Sequence, residues 1–293
     1  MNTKVTLSHR NKEPESGVLY IVGTPIGNLS DISFRCLDIL NKVDLIACED
    51  TRQTRKLMSK YKLNNNLLSF NKFNSSKKIP TLIQRLESGK SIALVSDAGL
   101  PGISDPGEDL VNELRLKGLE IICIPGPCAA LTALVSSGLP TSQFIFEGFL
   151  PKKKIIRDRA LIEISKNTKT TIIFESPHRL NKLLEDLEFY CGKKREIHIA
   201  KELTKKYEEH IRTNIEESIK YFKNKKILGE YTIILKGLDN TTTHKFDQNA
   251  LKKDLSDLIK AGLSLSSAAK YLSKKENLPR NIIYNLVTKT NSD

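Results

Sequence analysis

The residues best suited to chemistry lie between Leu94 and Gly107, in the stretch LVSDAGLPGISDPG. A short apolar run, of the kind that makes a buried strand, is cut off by Gly and Pro residues interleaved with Ser96, Asp97, Ser104 and Asp105. Gly99, Gly102 and Gly107 let the backbone approach a ligand or take positive φ, while Pro101 and Pro106 stiffen the loop and remove amide donors. A loop short of donors is poorly suited to wrapping phosphates. It also has neither the Lys-Ser/Thr pair of a P-loop nor the spacing GxGxxG. The stretch reads either as a tight structural turn or as a loop that binds a polar ligand. A second group of charges, Glu49, Asp50 and Arg52, directly follows the apolar run Leu45 to Cys48. Such positions fall at the carboxyl end of a strand, where open α/β sheets bind ligands.

Elements able to hold these groups recur along the chain. Val18–Val22, Leu45–Cys48, Leu67–Phe70, the run before Asp97 and Ile121–Ile124 read as strands, four of them closed by Gly, Pro or acidic residues. Helices are expected from a cap at Asp31 to Asn41, over Ile79–Ser88 and over Gly107–Lys117, the last ending at Gly118. Alternation of this kind predicts an α/β domain over 17–138 with a parallel sheet. Pro140 opens a second α/β domain over 139–237, with strands at Gln143–Gly148, Thr170–Glu175, Glu196–Lys201 and Tyr231–Lys236. Its helices are expected near Arg157–Lys166, His178–Tyr190 and Asn214–Lys223, with a short antiparallel strand between Lys205 and Asn214. Residues 1–16 read as a disordered leader and 238–249 as a linker. A helical appendage over 250–293 includes Ser264–Lys274 and Asn281–Val287, as a helix-turn-helix-like unit or a plain helical cap.

Composition narrows the function classes. No apolar run is long enough to span a bilayer and the polar start has no signal-peptide core, so a soluble, cytoplasmic protein is expected. Five Cys without a CxxC pair and five scattered His predict reduced packing residues and no metal site. The net charge of +13 is uneven: residues 1–150 carry 17 Lys and Arg against 15 Asp and Glu, and residues 151–237 carry 21 against 13. A basic second half fits a polyanion such as nucleic acid, or simply a Lys-rich composition.

Read in order, the motifs GTPIGN (23–28), CEDTR (48–52), SDAGLPGISDPG (96–107), PGPCA (125–129), GFLP (148–151), ESPHR (175–179) and KELTK (201–205) closely resemble those of the ribosomal RNA small subunit methyltransferase I family. That family is a branch of the tetrapyrrole methylase superfamily (class III methyltransferases), and the resemblance covers about residues 17 to 290. It implies two α/β domains with S-adenosylmethionine folded into the cleft between them. It further implies a homodimer that methylates the ribose 2′-hydroxyl of a cytidine in the decoding region of 16S rRNA. On that basis Gly23, Thr24 and Pro25 are expected on the cleft floor and Asp97, Gly99, Pro101, Ile103, Ser104 and Asp105 in the cofactor loop. Pro125, Gly126 and Ala129 are expected to close the pocket. Asp105, ahead of Pro106, reads equally as a helix cap.

The ribose hydroxyl is a very weak acid, so a base is needed; the candidates are Asp50, then Asp97, then Glu202. Arg52, Lys152, Lys153, Lys154, Arg157, Arg179, Lys201 and Lys205 are candidates for holding RNA. Three departures from the family pattern stand out: Leu100 where Thr is usual, Asn71, Phe73 and Ser75 where His, His and Glu are usual, and Lys201 for Arg. Two other readings remain open at this point, a methylase acting on a tetrapyrrole and a non-catalytic RNA-binding factor on the same fold.

Overall fold

In the computed structural model, the residues described are 13–239, 248–275 and Ile283. The start of the expected leader, most of the linker, and the expected helix over 281–287 apart from Ile283 lie outside them. Residues 1–237 form one compact unit that contains two sheets, and 238–293 form a second.

The first sheet comprises β1 (Val18–Val22), β2 (Leu45–Cys48), β3 (Leu67–Ser69), β4 (Ile92–Val95) and β5 (Glu120–Ile124). Its order is β3-β2-β4-β1-β5 and every pairing is parallel. A parallel sheet needs cover on both faces, which is why LIAC and IALV are apolar at every position. Helices α1 (Phe34–Lys42) and α2 (Thr51–Lys60) bury Cys36, Ile39, Leu40, Leu57 and Met58 against Val18, Tyr20 and Ile46. On the other face α3 (Ser75–Glu87) and α4 (Glu108–Leu116) bury Leu82, Leu86, Leu110 and Leu114 against Leu19, Leu45 and Leu94. The chain places β4 between β2 and β1, and then β5 on the far side of β1. The loops after β4 and β1 therefore emerge side by side at the carboxyl edge, the ligand-binding edge of open α/β sheets.

Two expected helix starts move. Ser33, not Asp31, caps α1, its hydroxyl accepting from Cys36 N at 3.1 Å, because Leu29–Asp31 forms a separate 3₁₀ turn capped by Asn28. Helix α3 begins at Ser75 and carries Pro80 inside it, so the proline does not mark its start. A helix absent from the sequence reading, α5 (Ala129–Ser137), follows PGPCA; its Ala-rich, two-sided apolar sequence lacks a clear stripe.

Helix α5 leads into the second sheet: β6 (Phe144–Phe149), β7 (Thr170–Glu175), β8 (Glu196–Lys201), β9 (Glu209–Asn214) and β10 (Tyr231–Leu235). Its order is β6-β7-β10-β8-β9, parallel only between β6 and β7. The expected antiparallel strand before Asn214 is β9. Helices α6 (Lys154–Lys166), α7 (Leu180–Cys191) and α8 (Ile215–Phe222) cover one face through Leu161, Leu183, Leu187 and Phe222. Ala130, Ala133 and Leu134 of α5 pack on the other face against Ile172, Ala200 and Ile234, together with Ile26 from the loop after β1. In the second unit, α9 (Gln248–Lys260) and α10 (Leu265–Lys275) bury Leu255, Ala268, Ala269 and Leu272, and Lys275 pairs with Asp254 at 3.1 Å.

Candidate functional site

The loop after β4 is shaped by its punctuation. Gly99 (φ +82°), Gly102 (φ +85°) and Gly107 (φ +147°) all take positive φ, as does Ser104 between the last two at +65°. Gly99 and Thr24 exchange two backbone hydrogen bonds of 2.9 and 3.0 Å, which tie this loop to the one after β1. Thr24 is buried, and its hydroxyl donates to Ser96 O at 3.2 Å. The loop after β5 comes closer still: a Cβ on Gly126 would lie 2.7 Å from Gly23 Cα, so both positions require glycine. Gly23, Thr24, Pro25, Pro125 and Gly126 thus belong to a backbone crossing beneath the loop at 96–107.

Between this crossing and the second sheet lies a cavity of about 310 Å³. Of the twelve positions expected to hold cofactor, Gly99, Ile103, Ser104, Asp105 and Ala129 line it. Pro101 instead lines a groove beside Gly107 and Asn112. The opposite wall was not singled out from sequence: Phe149, Phe174, Ser176, Pro177, Tyr231 and Thr232, from β6, β7 and β10. The motifs GFLP and ESPHR marked two of these strand ends; β10 runs antiparallel to β7, so its start meets the cavity, and the signal there was Gly229 and Glu230 just ahead of it. Leu100 also lines the cavity, putting an apolar wall where a hydroxyl was expected.

A second tie holds the two sheets together. Asn28 N donates to Thr204 Oγ1 at 2.8 Å, and a Cβ on Gly27 would lie 2.5 Å from Lys205 Cγ and 2.7 Å from Leu203 O. GTPIGN and KELTK are therefore two halves of one contact. Glu202 (φ +51°) and Thr204 (φ +63°) take left-handed conformations to make it.

The carboxylates differ sharply in their surroundings. Asp50 caps α2, accepting from Arg52 N at 2.8 Å and pairing with Arg52 Nη2 at 2.6 Å. The Arg52 hydrogen bonds hold its carboxyl down at about 2, a weak proton acceptor. Glu202 is bound by Lys205 at 2.9 Å and by Glu230 N at 2.9 Å, and although burial opposes them these bonds leave its carboxyl below the ordinary range. Asp97 accepts from Asp50 N at 3.0 Å, yet burial raises it. Burial first, and then the neighbouring Glu49 carboxylate, push Asp105 up to about 6. Glu49 is raised by burial and by Asp97. Glu49, Asp97 and Asp105 form an acidic trio that raises its own proton affinity and would be relieved by a cation. The trio and the apolar walls fit S-adenosylmethionine, whose ammonium and sulfonium are cationic and whose adenine is flat and apolar.

The basic candidates also separate. Lys152, Lys153 and Lys154 are exposed at the start of α6. Arg157 is 9% exposed, bound to Asp186 at 2.9 Å and 3.9 Å from Glu175, so it belongs to the core beneath α6 and offers RNA no face. Arg179 donates to Leu150 O at 2.7 Å and lies 3.4 Å from the buried Glu175, organising the ESPHR turn. Lys201 pairs with Glu209 at 3.3 Å, and Lys205 is held between Glu202 and Glu230. Arg52 pairs with Asp50 but its side chain is 83% exposed. Among the described residues no cluster of His, Cys, Asp or Glu could hold a metal ion, and no helix is long and apolar enough to cross a membrane.

This pair of sheets with a cavity between them defines a class. Residues 18–218 match the family described as Tetrapyrrole (Corrin/Porphyrin) Methylases. The fold is similar to that of a solved cobalamin biosynthetic enzyme, cobalt precorrin-4 methyltransferase, with a TM-score of 0.57 at 18% identity over 75% of this chain and 95% of that one. Sequence relatives narrow the class. One, from Thermotoga maritima, is 49% identical over 221 residues, 75% of this chain and 99% of its own; another, from Bacillus subtilis, is 40% identical over 278 residues, 94% and 95%. Both are named ribosomal RNA small subunit methyltransferase I. Within the tetrapyrrole methylases, the chain belongs to the ribosomal RNA small subunit methyltransferase I family.

Proposed function

We propose that the protein is an S-adenosylmethionine-dependent rRNA methyltransferase that modifies the ribose 2′-hydroxyl of a cytidine in the decoding region of 16S rRNA, acting as a homodimer on the small ribosomal subunit. The observation that carries this reading is the cavity at the carboxyl edge of the first sheet, lined by Asp105, in a chain whose relatives along nearly its whole length bear that name.

When bound, S-adenosylmethionine supplies a methyl group on a sulfonium, open to in-line attack by an oxygen. The chain's contribution is chiefly alignment, which is worth on the order of 7–11 kcal/mol in favourable cases. The Gly23–Gly126 crossing and the Thr24–Gly99 bridge fix the floor, and the walls from β7 and β10 exclude water. Asp97 and Glu49 balance positive charge beside the loop. Asp105 is the strongest candidate to take the hydroxyl proton on its carboxylate as the new C–O bond forms, because it lines the cavity and its carboxyl is held near neutrality. Leu131 and Val135, one turn apart on α5 and 46% and 72% exposed, supply an uncovered apolar strip for a second copy.

The test is methyl transfer from labelled S-adenosylmethionine to small ribosomal subunits from cells lacking this gene, followed by digestion to nucleosides. Label in 2′-O-methylcytidine is the expected result. No label in the presence of measurable cofactor binding would reject the reading and turn attention to tetrapyrrole substrates.

A further inference from the structure

Residues 51–86 contain nine Lys and Arg and no Asp or Glu, although residues 1–150 as a whole are nearly balanced. Topology gathers the start of this segment at one place. Strands β2 and β3 are parallel neighbours, with Cys48 beside Ser69, and each turns directly into its helix at the carboxyl edge. Arg55 in the first turns of α2, and Lys72, Lys77 and Lys78 around the start of α3, therefore share the edge that carries the loop at 96–107. None of these four enters an ion pair among the described residues. The contact of Asp50 N with Asp97 Oδ1 at 3.0 Å joins this corner to the acidic trio, of which Asp105 lines the cavity.

The turn between β3 and α3 adds a second, independent feature. Phe73 is 96% exposed. It is not a side chain left loose: Asn71 Oδ1 accepts from Phe73 N at 3.0 Å and from Asn74 N at 3.2 Å. Asn74 Oδ1 accepts in return from Asn71 N at 2.8 Å, and Asn74 Nδ2 donates to Ser69 O at 3.3 Å. The polar side chains of the turn are spent on fixing its shape, and that shape holds an aromatic ring out in water on a segment that also exposes Lys72 and Lys77. An exposed ring flanked by unpaired cations is the pattern by which proteins stack on unpaired bases and hold the adjoining phosphates.

We propose that the β2–α2 and β3–α3 corners form an RNA-binding lip, on which Phe73 stacks against an unpaired base while Arg55, Lys72 and Lys77 hold the flanking phosphates. The lip rests on the reading of the protein as an RNA methyltransferase and says where the RNA enters. Its cations offset the carboxylates of the trio, which would otherwise repel a polyanion at the cavity mouth.

The experiment measures binding of the full-length protein to protein-free 16S RNA and to small subunits, both from cells lacking the gene, alongside calorimetric binding of S-adenosylmethionine. Phe73→Ala is expected to weaken RNA binding about tenfold and Phe73→Trp to retain it, both with unchanged cofactor binding. Lys72→Ala with Lys77→Ala is expected to flatten the slope of log affinity against log salt by about 1.5. Affinity within about twofold of wild type for Phe73→Ala, with an unchanged salt slope, overturns the lip. An effect on intact subunits but not on naked RNA assigns the surface to a ribosomal protein and overturns it too. Lip-dependent RNA binding by a wild-type protein that transfers no methyl group would support the lip and reject the enzymatic reading alone.

Discussion

Asp105→Asn tests the electrostatics of the site without any substrate. Burial and Glu49 raise the Asp105 carboxyl from 3.8 to about 6 in the folded protein. A shift of about two units corresponds to roughly 3 kcal/mol for a group wholly out of water. Asp105 is only half-buried, and solvent screening reduces this to about 1 kcal/mol. The sign follows from the raised value. The protonated carboxyl favours the folded state, so its contribution is fully present below 3.8 and is lost as pH rises through about 6. An amide carries no charge to lose. Cofactor-free wild type and Asp105→Asn should therefore melt together near about pH 4, diverge between about pH 4 and 6, and above that differ by about 2–4 °C, with the variant the more stable. The assay is thermal unfolding across that pH range, with labelled methyl transfer in parallel, where the same variant should lose about 10²–10⁴-fold in rate. Parallel pH profiles, or a variant less stable than wild type at pH 8, would refute the idea that the loop holds this carboxylate under electrostatic strain.

Asp50→Asn should keep methyl transfer within about threefold of wild type, since Asn caps a helix as well as Asp does and Asp50 is already committed to Arg52. Arg157→Ala should cost about 1–3 kcal/mol in denaturant unfolding, because it removes the cation 2.9 Å from Asp186 and 3.9 Å from Glu175 while Lys182 and Arg179 still pair with them, and the affinity of the folded protein for RNA stays unchanged. Gly126→Ala places a methyl 2.7 Å from Gly23 Cα and should cost about 1–3 kcal/mol, with weaker cofactor binding by calorimetry as the floor is pushed apart.

Much of the fold was legible because its signals are local. The strands VLYIV, LIAC and IALV are apolar runs ended by abrupt punctuation, and a parallel sheet buried on both faces writes itself in that form. Helix α5 was not legible, since AALTALVSS has apolar side chains both on the face that packs on the second sheet and on the exposed face at Leu131 and Val135, which blurs the 3.6-residue period. The start of α3 was hidden by Pro80, which reads as a boundary but is carried within the helix.

The site divides along the same line. Glycine positions could be read, because positive φ and close backbone approach impose a residue type that the sequence displays, as at Gly99, Gly126 and Gly27. The state of a carboxylate imposes none. Asp50, Asp97 and Asp105 are the same residue after similar strands, yet one is held near 2 by an arginine two residues away and another near 6 by burial and a glutamate that arrives from a different strand. The pairing of Arg157 with Asp186 likewise joins residues from two helices, turning a cation that looks like part of a basic run into a core residue. What decides between base, cap and ion-pair partner is the set of neighbours brought by the other loops. The neutralised Asp50 and the strained Asp105 exchange the roles that chain order alone would give them, and comparing Asp50→Asn with Asp105→Asn in one methyl-transfer assay reads that exchange directly.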